Sequence, residues 1–92
     1  MWIEIHEDDW QFLMKLLKKT HLKDLIKDIE KATKHPDCDE FIVFELPTHE
    51  AEELVGQLSF EANHTRSNIK FERTCAIADS IDTQLFGYKM AE

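Results

Sequence analysis

The first third of the chain carries two apolar stripes that one straight helix cannot bury on one side. Trp10, Leu13, Met14 and Leu17 recur at helical spacing, and so do Leu22, Leu25, Ile26 and Ile29. The step from Trp10 to Leu22 turns a helix by about 1200°, which leaves the second stripe about 120° out of phase with the first. A break near Thr20 is therefore expected, and threonine there suits an N-cap for the second helix.

The flanking segments extend the pattern. Trp2-Ile3-Glu4-Ile5 alternates weakly and is rich in β-formers, which predicts a short strand. Glu7, Asp8 and Asp9 follow where the first turn of a helix favours negative charge. Lys34 to Glu40 has the composition of a loop, with Pro36 stopping the second helix. Phe41-Ile42-Val43-Phe44-Glu45-Leu46 is the strongest strand, apolar on both faces. Pro47 ends it, and Thr48 starts a third helix whose stripe is Ala51, Leu54, Val55, Leu58 and Ala62. A polar break at 64–68 contains cap-type residues. A fourth helix then carries Phe71, Cys75, Ala78, Ile81 and Leu85, with Gly87 expected at its C′ position.

The predicted fold is α+β and mostly helical: about four helices and two short strands in a single domain over residues 1–92. The outline of strand, helix, break, helix occurs twice, which suggests a β-α-α duplication. Strands joined by a long helical crossover are expected to pair in parallel. Such a pair would leave the second strand with an open apolar edge, a reason to expect a homodimer.

Charge narrows the function classes. Eleven Lys and Arg stand against 19 Asp and Glu, for a net charge of −8. That balance argues against general nucleic-acid binding, which needs Lys and Arg to displace counterions, and against an anionic membrane surface. No Lys or Arg occurs between Lys34 and Arg66, a stretch holding Asp37, Asp39, Glu40, Glu45, Glu50, Glu52, Glu53 and Glu61. Everything outside that acidic stretch cancels. The lysines at 15, 19, 23, 27 and 31 have acids interspersed and no aromatic interleaving, so they read as a solvated helix face. An acidic start without an apolar signal core, together with only Cys38 and Cys75, predicts a cytoplasmic protein with reduced thiols. The Asn63-His64-Thr65 sequon then has no role.

Chemistry-bearing motifs are sparse. Two glycines leave no phosphate-cradling loop, and no nucleophile elbow is present. Cys38 with His35 sits among acids that oppose thiol activation, and Cys75 reads as core. No enzyme activity and no cofactor are expected. Glu61-Ala62-Asn63-His64 spells ExxH, one half of a carboxylate-bridged metal site, and a homodimer could supply a second copy. Gln57, Phe60 and His64, with Arg66 close behind, form the residue mix found at protein contacts. Trp2 and Trp10 are assigned to the core.

The favoured expectation is a small acidic protein-interaction module of the inhibitor, antitoxin, immunity or phage-counterdefence kind. It would engage a basic partner through Glu50, Glu52 and Glu53, with Gln57, Phe60, His64 and Arg66 beside them. The alternatives are a dimeric metal-binding helical protein using Glu61 and His64, and a structural subunit of a larger complex.

Overall fold

The computed structural model describes residues 1–91 and is α+β, with four helices and a three-stranded antiparallel sheet. The chain forms two compact units, Met1–Leu46 and a second that begins at Pro47.

The first unit contains β1 (Trp2–His6), α1 (Glu7–Leu17), α2 (Lys23–Glu30), β2 (Thr33–His35) and β3 (Cys38–Glu45). The strand order is β1-β3-β2, and β3 pairs antiparallel with both neighbours. β1 and β3 are thus not parallel, as the long crossover suggested. The crossover leads instead to β2, which runs parallel to β1 with β3 inserted between them. Thr33-Lys34-His35 is short and polar, so no alternation marks it as a strand. It pairs with β3 through a tight turn containing Pro36, which closes a hairpin rather than ending a helix. The most apolar strand occupies the centre, where both edges are paired. The open edge that would call for a second copy is covered by β2.

Ile3 faces Phe44 and Ile5 faces Ile42 across the β1–β3 ladder, and all four are buried. α1 and α2 pack on that side, adding Leu13, Met14, Leu17, Leu25 and Ile29. Each large apolar side chain so buried contributes about 1.5–3 kcal/mol before entropy is charged. The helix break falls near Thr20, but this residue does not cap α2. Its hydroxyl donates to the Leu17 carbonyl (2.7 Å) and accepts from the Leu22 amide (3.4 Å), closing α1; Leu22 is the N-cap position of α2. Trp10 is half-buried and braces the pair, its indole N–H donating to the Ile29 carbonyl at 3.1 Å. His6 caps α1, its Nδ1 accepting from the Asp8 amide at 3.1 Å.

The second unit is a helical hairpin of α3 (Thr48–His64) and α4 (Asn68–Ala91). Ala51, Leu54, Leu58 and Ala62 line the buried face of α3, and Val55 is only half-buried. Ser67 caps α4 by accepting from the Lys70 amide at 3.3 Å, and Thr65 Oγ1 accepts from the Ser67 amide at 3.3 Å. On α4 the buried stripe is Thr74, Ile77, Ala78, Ile81 and Leu85. Phe71 is exposed and Cys75 half-buried, because Thr74 and Ile77 rotate the stripe away from both. Gly87 does not end the helix. It has no positive φ, and helical backbone continues to Ala91. Lys89 in the last turn pairs with Glu52 of α3, holding the ends of the two helices together.

The order strand-helix-helix does recur, but the compact units do not follow it. β3 belongs with β1 and β2, and the second unit contains helices alone. Among the described residues, no helix is long and apolar enough to cross a membrane.

Candidate functional site

Each unit exposes aromatic side chains flanked by polar and charged groups. In the second unit one such surface is the outward face of α3. Opposite the buried Ala51, Leu54, Leu58 and Ala62, helical spacing sets His49, Glu53, Gly56, Phe60 and His64 in a row. Phe60 is 54% exposed and lies against the His64 imidazole, with ring centroids 4.0 Å apart and planes inclined by 26°. His64 Nδ1 also lies 2.8 Å from the Phe60 carbonyl oxygen, so the two rings form one fixed aromatic ridge. Gln57 donates to Glu61 at 3.1 Å, and Arg66 is exposed in the break between the helices. The sequence-predicted anchors are therefore gathered at one end of the hairpin.

The three acids expected beside them are not equivalent. Glu50 is half-buried, Glu52 is engaged by Lys89, and Glu53 is exposed on the same row as Phe60. The Glu61 and His64 of the ExxH pair are turned to Gln57 and the Phe60 backbone. Among the described residues, no three His, Cys, Asp or Glu side chains are grouped as metal ligands. Cys38 and Cys75 carry free thiols and are half-buried.

The second surface was missed by the sequence reading. It is the sheet face turned away from α1 and α2, where register places Trp2 opposite Glu45, Glu4 opposite Val43 and His6 opposite Phe41. Trp2, expected in the core, is 64% exposed. The alternation already carried the signal: Ile3 and Ile5 take the buried parity, so Trp2 and Glu4 must share the other. Side chains directly across an antiparallel pair stand about 5 Å apart at Cβ. The Glu45 carboxylate thus neighbours the indole from β3, and Glu4 neighbours it along β1.

The rest of this face is tied down by two histidines. His6 meets Phe41 edge-on at 5.7 Å. His35 Nδ1 accepts from the Asp37 amide at 3.0 Å, which leaves Nε2 as the protonated nitrogen facing Glu4 Oε2 at 3.5 Å. Asp37, Asp39 and Glu40 are exposed in and beside the β2–β3 turn. Lys34, the one lysine in these strands, pairs with Ile42 and so belongs to the opposite parity. Further exposed apolar side chains lie along α4, namely Ile69, Phe71, Phe86, Tyr88 and Met90. No protein-family model, curated protein or solved structure matches this chain.

Proposed function

We propose that this chain is a small protein-interaction module that binds a basic segment of a partner protein, in keeping with an inhibitory or immunity-type role. The observation that carries the proposal is Trp2, an exposed indole flanked by Glu45 across the strands and Glu4 along its own strand. An indole face attracts a guanidinium or ammonium group, with about 0.5–1 kcal/mol gained at an exposed site and about 2 kcal/mol when water is excluded. Glu45 would hold the same cation by charge, adding at most about 1 kcal/mol, and Glu4, shared with His35, would add less. Asp37, Asp39 and Glu40 extend the negative field at the hairpin turn and would favour encounter with a basic partner. Docking here would cover Trp2 without disturbing the buried face of the sheet.

The test is titration calorimetry of the full chain with a peptide of alternating arginine and serine, against the same peptide with glutamine for arginine. Only the arginine peptide should bind, and its affinity should fall as salt rises. Trp2→Ala should weaken binding by about 3- to 30-fold, the loss of one cation–π contact. Glu45→Gln should weaken it less. Binding by both variants at the wild-type affinity would refute the site.

A further inference from the structure

We infer that α3 is also a self-recognition helix, through which two copies of this chain pair antiparallel with Phe60 of each seated against Gly56 of the other. The starting observation is a glycine without an internal purpose. Gly56 lies in the interior of α3 on its exposed face, where glycine costs a helix about 1 kcal/mol relative to alanine. Its φ is not positive, and a Cβ built there would meet nothing within 4 Å. Neither backbone conformation nor packing within the chain calls for glycine at this position. What its missing side chain provides is a shallow hole on the outward row, one turn before the exposed Phe60.

A hole and a knob one turn apart on one helix are what a twofold contact requires. Four residues span about 6 Å of helix, so an axis passing near Leu58 puts each Phe60 over the partner's Gly56. The same register sets Glu53 beside Asn63 and His64 of the other copy, with Arg66 within reach of the acidic first turns. Charge favours this orientation. The start of α3 carries Glu50, Glu52 and Glu53 against Lys89, while the other end of the hairpin carries Arg66, Lys70 and Arg73 against Glu61 and Glu72, so the first end is net acidic and the second net basic. Antiparallel pairing brings opposite ends together, and parallel pairing would stack acid on acid. The ring of His64 holds Phe60 in place before contact, so little side-chain freedom is lost on docking.

One helix per copy is a small contact, which implies a weak dimer seen only in a concentration series. Sedimentation velocity on the full chain across that series should show a reversible monomer–dimer equilibrium. Phe60→Ser should raise the dimer dissociation constant by at least about tenfold, since two buried rings are lost. Gly56→Leu should also weaken the dimer by filling the hole, while raising the thermal stability of the monomer through its helix propensity. A glycine needed only within the chain would instead lower both. Glu53→Arg and Arg66→Glu should each weaken association, and combining them should restore part of it. A chain that stays monomeric at millimolar concentration would overturn the inference, as would Phe60→Ser or Gly56→Leu dimerising like the wild type. The arginine-peptide titration is independent: Gly56→Leu should leave it unchanged, and Trp2→Ala should leave the dimer unchanged.

Discussion

Gly87→Ala separates two descriptions of the end of the chain by the sign of one measurement. If Gly87 were a C′ residue in the left-handed region, alanine would strain the backbone and destabilise the protein. The structure instead has Gly87 inside α4, without positive φ, and a Cβ there meets nothing within 4 Å. Alanine should then stabilise the helix by up to about 1 kcal/mol. Gly87 lies four residues before Ala91, within the last turn and a half, where fraying removes part of the gain. A stabilisation of about 0.5 kcal/mol is the working figure. For a chain of 92 residues that corresponds to a rise of roughly 2–4 °C in melting temperature. Urea unfolding followed by circular dichroism at 222 nm measures both the midpoint and the slope. An unchanged slope with a higher midpoint is expected. A lower midpoint would refute the continuous helix, and with it the Lys89–Glu52 pairing as a contact between helix ends.

Two further substitutions test the first unit. Trp10→Phe keeps an aromatic ring but removes the indole donor to the Ile29 carbonyl together with part of the half-buried ring, so chemical denaturation should show a loss of at least about 1 kcal/mol; no change would mean that the bond does not brace α1 against α2. His6→Ala should cost a similar amount, about 1 kcal/mol, as the α1 N-cap is lost, and His6→Asn should recover most of it because its side-chain oxygen can accept from the same amide. Equal losses for alanine and asparagine would show that the edge contact with Phe41, rather than the cap, sets the stability at this position.

The features legible in the sequence were those written as strong local patterns. The phase jump between Trp10 and Leu22 located the break, and the apolar run at 41–46 located the principal strand. What escaped depended on partners distant in sequence. β2 has no apolar alternation and is a strand only because β3 offers it a ladder, so the crossover was attached to the wrong strand. Thr74 lies in a core stripe although its letter reads as polar, so Phe71 and Cys75 stood in the predicted face of α4 where Thr74 and Ile77 are buried, while Ala78, Ile81 and Leu85 are buried as expected. Gly87 was read as a stop because glycine favours that position, yet Tyr88 to Ala91 are compatible with helix and no proline follows. Trp2 is exposed although expected in the core, and its parity with Glu4 is the better guide. Of the site residues, Phe60 and His64 were recoverable from helical spacing alone. The flanking of Trp2 by Glu45 was not, because cross-strand register depends on where β1 and β3 start.

The acidic stretch between Lys34 and Arg66 also changes meaning once folded. Its carboxylates are divided at Leu46 and Pro47 between two compact units. Asp37, Asp39, Glu40 and Glu45 belong to the hairpin and outer sheet face, whereas Glu50, Glu52, Glu53 and Glu61 belong to α3. On α3 the charges are partly answered within the unit, by Lys89 at Glu52 and Gln57 at Glu61. On the sheet, Glu45 and Glu4 neighbour the Trp2 indole at one end of β3, with Glu4 also facing His35, while Asp37, Asp39 and Glu40 lie at the hairpin turn at the other end. Segregation along the sequence therefore does not mean a single acidic surface. Neutralising the sheet acids and neutralising the α3 acids become separable perturbations: the first tests the proposed basic partner, the second the proposed pairing between copies. A net charge of −8 disfavours self-association at long range. The proposed twofold contact on α3 would survive that repulsion only by bringing its basic end to its acidic one, which makes the Glu53 and Arg66 charge swap the more demanding test of the two surfaces.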